Sequence, residues 1–424
     1  MEKKNFTLVS GFALFSMFFG AGNLIFPPTL GLWVGSGFIP GIIGFLLTAV
    51  GLVMLGVIAT TKAGGNLENI AGKLGSKSGF IFGTLVLLSI GPGLAIPRTA
   101  ATTYELLQVG LFENLNPVLT SVVFFAIVLF FVLRPTDIVD NLGSILTPTL
   151  ILLLLVLIVK GVVSPLSTVI DTGMENVFAK SFEEGYQTMD ALAALAFTSV
   201  IISGYELKGI TDLSKIYSLT AKAALIAGAG LCLVYGGLIY IGATTSSMGV
   251  ESLTRVELLI FMAEGLLGKI GTVAMCIIMI LACLTTAIGL TSAFSAFFER
   301  MTKGKVKYTT WAIIAAVFSG FLAVKGVETI VKISVPILLM MYPVSIVLVV
   351  LNLLDGRPCI KKLTYVGGVI GALLPTLSSI LSSLGISPGL LDAFYGLFPE
   401  TVQAFAWMVL AIAFAIIGTL LDRN

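Results

Sequence analysis

Long apolar runs, set apart by short charged stretches, decide what this chain can become. About twelve such runs follow one another, near 7–33, 36–61, 79–107, 117–134, 138–163, 185–207, 219–244, 270–298, 309–324, 328–354, 364–384 and 401–421. A run of roughly 20 apolar residues crosses the hydrocarbon core of a bilayer as a helix. In lipid the backbone must satisfy its own hydrogen bonds, so spanning segments are helices or closed barrels. Barrel strands would alternate in stretches of about ten residues, and these runs are continuous. Composition agrees, with 57% hydrophobic and 11% charged residues against about 25% charged in a soluble domain. The expected fold is an all-α polytopic membrane protein forming a single domain over residues 1–424.

The same features exclude several functions. There is no histidine, hence no imidazole to act as base, proton relay or metal ligand. Cys232, Cys276, Cys283 and Cys359 show no metal-ligand spacing and read as free thiols. No basic cluster interleaved with aromatics suggests a nucleic acid partner. The loops are short, which leaves no room for a soluble catalytic domain. The N-terminus resembles a signal peptide at Lys3 and Lys4, but its apolar run continues to Trp33, so a retained first helix is expected. With a cytoplasmic N-terminus, lysine and arginine divide about three to one in favour of the inside. An even span number then places the C-terminus inside as well. The loop 164–184 should face outside, and residues 256–264 have the period of a short helix.

Spans that break helix rules at mid-depth point to function, because irregular backbone in a bilayer is tolerated only within protein or along a cavity. The first span contains Gly20, Gly22, Asn23, Pro27 and Pro28. Glycine is conformationally free, and proline removes amide donors. Together they predict a discontinuous helix whose freed N–H and C=O groups suit a carboxylate and a small cation. The alternative is a tight helix contact through small residues. The third span carries Gly91, Pro92, Gly93, Pro97 and the costly Arg98. That arginine pairs with Glu105 or with freed carbonyls, snorkels outward, or is purely structural. In the sixth span Asp190 lies at or just inside the outer interface, and no Gly–Pro break separates it from Ser203. In the eighth span Thr285 and Thr286 set two hydroxyls near the carbonyl of Ala282. They suit sodium, or bond to their own helix.

Residues 20–28, Ile96-Pro97-Arg98-Thr99-Ala100 and Met189-Asp190-Ala191-Leu192-Ala193-Ala194 resemble the bacterial branched-chain amino acid:cation symporters, the BrnQ-type carriers, and the likeness runs over essentially the whole chain. The resemblance implies the LeuT-type architecture of the amino acid–polyamine–cation superfamily. Two inverted five-helix repeats, spans 1–5 (about 7–163) and 6–10 (about 185–354), would be followed by two appended helices at about 364–421. A broken first helix would be matched by a broken sixth. The substrate's polar ends would meet backbone around Phe19, Gly20, Ala21 and Gly22 and around Ala194, Leu195, Phe197 and Thr198. Phe18, Asn23 and Leu290 would complete the contacts. A sodium ion would take the carbonyls of Ser16, Phe19 and Ala282 and the hydroxyls of Thr285 and Thr286.

The implied activity is symport of leucine, isoleucine or valine with sodium across the bacterial cytoplasmic membrane, with no resident cofactor. One methylene is worth only about 1–3 kcal/mol in an apolar pocket, so discrimination among the three would be weak. A proton is the alternative coupling ion, with Asp190 as its candidate carrier. More distant alternatives are two parallel six-helix halves, a channel or a membrane-embedded enzyme.

Overall fold

The computed structural model describes residues 3–112, 114–134, 147–357, 360–383, 389, 394, 396–399 and 405–422. Every regular element among them is helical. The chain opens with α1 (Lys3–Phe18), α2 (Ala21–Val34), α3 (Phe38–Leu46) and α4 (Val53–Lys62), then α5 (Leu67–Ile70) and α6 (Ser76–Leu88). Next come α7 (Ala95–Gly110), α8 (Pro117–Val132), α9 (Thr147–Val163), α10 (Val177–Glu184), α11 (Asp190–Leu207) and α12 (Leu213–Ala243). The last are α13 (Arg255–Met301), α14 (Tyr308–Ala323), α15 (Val327–Leu354), α16 (Lys362–Ser383) and α17 (Ala406–Leu421).

Among the described residues six runs are long and apolar enough to cross a membrane, and the apolar helices that accompany them are shorter, 10–17 residues each. These runs do not map one to one onto the twelve expected spans. Ala21–Lys62 joins half of the first expected span to the second. The run that holds the sixth expected span begins at Val177, so the end of the expected outer loop is in fact helix. The expected starts of the fifth and twelfth spans, and Cys359, lie outside the described residues. Outward faces carry large exposed apolar side chains such as Ile39, Ile43, Val122, Ile270 and Phe321, as suits a surface turned to lipid rather than water.

The interior is built on close backbone contact. A Cβ added at Gly31 on α2 would lie 2.0 Å from the Ile239 carbonyl oxygen, and one at Gly242 on α12 would lie 2.1 Å from that of Pro28. The two helices touch backbone to backbone because neither glycine has a side chain, the small-residue contact that drives helix association in lipid. Gly242→Ala therefore forces them apart. We expect it to destabilise the protein by about 1–3 kcal/mol or more, read as a lowered unfolding midpoint of the detergent-purified chain. An unchanged midpoint would mean that the pair separates freely.

Helix breaks occur where local chemistry permits them. In α13 Gly268 adopts φ 61° and ψ −153° and sets off residues 255–267, the piece expected from the period of 256–264. Its start is capped reciprocally: Thr254 Oγ1 accepts from the Glu257 N–H, and Glu257 Oε2 accepts from the Thr254 N–H at 2.8 Å.

Candidate functional site

Three interrupted helices meet at one place. Between α1 and α2 the chain opens at Phe19 and Gly20, where Gly20 is extended (φ −122°, ψ −158°). Pro27 and Pro28, expected to contribute to the break, lie inside α2 and are buried there. The cap is Asn23, whose Oδ1 accepts the Gly20 N–H at 3.0 Å. In an unbroken helix that N–H would bond to the Ser16 carbonyl; its diversion frees Ser16. Between α6 and α7 the break falls at Gly91 (φ −87°, ψ −130°), within the expected kink.

The third interruption lies where composition alone gave no sign of one. Residues Gly185–Thr188 form a 3-10 turn, and Met189 is left-handed at φ 66°. A non-glycine residue in that region costs about 1–2 kcal/mol and persists only where its surroundings impose it. The break thus precedes Asp190, whereas the resemblance put the exposed backbone at Ala194–Thr198. Those residues lie in the uninterrupted α11, with Thr198 Oγ1 donating to the Ala194 carbonyl at 2.7 Å. Ala194 and Leu195 face Gly56 of α4, while Ala193 and Phe197 face the cavity.

That cavity measures about 20 Å³, room for about one water and far too little for an amino acid, so a substrate requires the walls to part. Phe18, Gly20, Ala21, Gly22 and Asn23 line it from the first break, Phe197 from α11 and Leu290 from α13. Met17, Ile90, Ala95, Thr99, Thr188 and Met189 were not expected there. Phe19 instead turns away, its ring 5.4 Å from Phe15 and 6.2 Å from Tyr235.

The polar side of the cavity holds a buried network. Asn23 Nδ2 donates to Asp190 Oδ2 at 2.5 Å and also to the Tyr235 hydroxyl, which in turn donates to Asp190 Oδ2 at 2.9 Å. Asp190 is 2% exposed, so it is buried within the protein. It occupies the first turn of α11, where the helix dipole favours an anion. Tyr235 escaped the sequence reading because one aromatic in an apolar run carries no signal of its own.

Arg98 is 3% exposed and does not snorkel. Its Nη1 donates to the Gln187 carbonyl at 2.8 Å, and Nη2 lies 3.5 Å from that of Thr188. Its guanidinium lies over the Phe26 ring, 5.3 Å from the centroid. Glu105 has a different partner, accepting the Val327 N–H at 2.8 Å. Of the alternatives for Arg98, the freed carbonyls of the sixth-span break are the ones realised.

Beside the cavity, α13 meets the end of α1 through oxygen atoms. Thr285 Oγ1 donates to the Ser16 carbonyl at 2.8 Å and lies 3.0 Å from that of Ala282. Thr286 Oγ1 donates to Met17 O at 2.8 Å and lies 3.4 Å from Ser16 O. Four members of the expected ion set thus gather here, with Met17 O in addition. The Ser16 and Met17 carbonyls are among the last four of α1, which have no partners inside the helix, at the negative end of its dipole. Neutral oxygens of this kind suit a monovalent hard cation once the hydroxyls turn their protons away.

The family described as branched-chain amino acid transport proteins matches residues 3–424. A branched-chain amino acid carrier protein of Staphylococcus aureus (strain USA300) is 35% identical, covering 98% of this chain and 96% of its own length. The branched-chain amino acid permease BraB of Bacillus subtilis (strain 168) is 34% identical over 98% and 95%. Among solved structures, the nucleobase-cation-symport-1 family transporter Mhp1 in a closed conformation superposes with TM-score 0.62 at 14% identity, covering 98% of this chain and 92% of that one. A manganese transporter of Eremococcus coleocola gives 0.60 at 15% identity over 98% and 95%. Identity this low conveys the fold alone, that of the LeuT-like transporters.

Proposed function

Because the chain belongs to the branched-chain amino acid transport protein family, whose members are transporters and not enzymes, we propose that it imports leucine, isoleucine or valine through the central cavity by symport with sodium. The membrane is the bacterial cytoplasmic membrane, with both termini on the cytoplasmic side as the lysine and arginine distribution favours. Spans 1–5 and 6–10 act as inverted repeats, an arrangement supported by interruptions in both the first and the sixth spans.

The observation that carries the choice of ion is the oxygen cluster joining Ser16 and Met17 to Thr285 and Thr286. A cation there ties the end of α1 to α13 next to the substrate cavity, since Thr286 belongs to both. Each ion then stabilises the conformation that binds the amino acid, and by linkage the amino acid tightens the ion. One sodium moving inward gains roughly 2.3 kcal/mol per 100 mV. On the apolar side, Ile90, Phe197 and Leu290 suit an aliphatic side chain.

A proton-coupled cycle is the second reading, favoured by the burial of Asp190 among Asn23 and Tyr235. Radiolabelled leucine uptake into sealed proteoliposomes separates the two. We expect accumulation under an inward sodium gradient at equal pH, and none under a proton gradient without sodium. The reverse pattern would assign the coupling to the proton.

A further inference from the structure

Arg98 and Asp190 are opposite charges, 3% and 2% exposed, lining one cavity. They do not form an ion pair: among the described residues the ion pairs are Lys73–Asp355, Arg255–Glu328 and Arg300–Glu68. Two buried charges left apart are costly, and burial is ordinarily tolerated when each is paired. Arg98 also has unused capacity. Arg98 Nε finds no acceptor among the described residues, and its Nη2 has only a long contact at 3.5 Å. At Asp190 the Asn23 and Tyr235 donors both converge on Oδ2, and the Thr188 side chain is a further partner of the carboxylate.

The two groups line the same cavity, and the surroundings of Arg98 suit a carboxylate. Nη2 of Arg98 lies 2.6 Å from where a Cβ of Gly22 would be, so the guanidinium overhangs the first turn of α2. Unpaired N–H groups and a positive dipole end gather at such a turn. The Gly20 N–H, expected to help hold a carboxylate, is already taken by Asn23. Backbone donors at the break are therefore fewer than a bare helix end would offer, and a charged fork stands in the same place.

We propose that Arg98 and Asp190 are the two charge anchors of the substrate, Arg98 with the N-terminus of α2 holding the α-carboxylate and Asp190 holding the α-ammonium. This rests on the reading of the cavity as an amino acid site. A zwitterion completes both charges at once and leaves the site neutral, whereas a carboxylic acid or an amine completes one and leaves the other exposed to a low dielectric. The site therefore selects for the zwitterion, while the apolar wall selects the side chain. Guanidinium also presents a planar fork to a carboxylate, which an ammonium does not.

The test is calorimetric titration of the purified full-length protein in sodium buffer with leucine, leucinamide and 4-methylpentanoate. For the wild type we expect both analogues to bind at least about 100-fold more weakly than leucine, since a site built for a charged group rejects ligands that lack it. Arg98→Gln should lose most of the preference for leucine over leucinamide, and Arg98→Lys should retain more of it. Asp190→Asn should instead narrow the gap between leucine and 4-methylpentanoate. Undiminished preference for leucine over leucinamide in a monodisperse Arg98→Gln protein overturns the assignment. If that variant does not fold, near-equal wild-type affinity for leucine and leucinamide does the same. A wild type that binds no leucine overturns the proposed substrate, and this inference with it; leucine binding with unaltered selectivity in the variants overturns this inference alone.

Discussion

Gly22→Leu should abolish leucine binding in a protein that still inserts and elutes as the wild type does. Gly22 lies in the helical first turn of α2, so a side chain there imposes no backbone strain and the effect comes from space alone. Its Cβ would lie 2.6 Å from Arg98 Nη2 and 3.2 Å from a Phe26 ring carbon. Three further carbons must then enter a cavity of about 20 Å³. The guanidinium is displaced, and the ground over which the substrate's carboxylate would lie is filled. Leucine affinity should fall by at least about 100-fold, the scale of losing a charge-assisted contact together with the room for it. Gly22→Ala should produce a smaller loss. Equilibrium binding of radiolabelled leucine to purified protein checks both, and retained affinity in Gly22→Leu would reduce the first-span break to a packing feature.

The second large effect is on the ion. Thr285→Val with Thr286→Val keeps the shape of both side chains and removes both hydroxyl oxygens. The half-saturating sodium concentration for leucine uptake should rise by about tenfold or more, the effect of losing about 1.4 kcal/mol of ion binding. The variant also loses the buried bonds to Ser16 and Met17, at about 1 kcal/mol each, so its unfolding midpoint should fall. Affinity for sodium and global stability are measured separately, and both should move. A folded variant with wild-type sodium dependence would remove the cation from this cluster.

Much of the site was legible because its parts announce themselves chemically. Gly20, Gly22 and Asn23 in mid-span mark an interruption, and Thr285-Thr286 following Ala282 marks a polar turn facing it. The sixth-span break was not legible. Gly185-Tyr-Gln-Thr-Met189 contains one glycine and no proline, and no rule of local propensity places a methionine in the left-handed region. Besides its own bonds, such as Thr188 Oγ1 to the Gly185 carbonyl at 2.9 Å, the turn is held by Arg98, far away in the chain, through the Gln187 and Thr188 carbonyls. The resemblance placed the exposed backbone near Ala194–Thr198, but those residues continue α11 without a break. Tyr235 was invisible for a related cause: its hydroxyl matters only because Asn23 and Asp190 stand beside it.

The amino-acid sequence by itself determined that this chain lives in lipid as helices, since unpaired amides are intolerable there. It also pointed to a break halfway along the first of those helices, which falls at Gly20 with Asn23 as its cap. Only the tertiary structure decided which residues share the gap so made. Asn23 finds Asp190 across 167 positions and Tyr235 across 212, and Arg98 settles on carbonyls that a separate broken helix exposes. Helix periodicity states which face a residue occupies; what stands opposite that face depends on how the helices pack, and packing is a property of the whole chain.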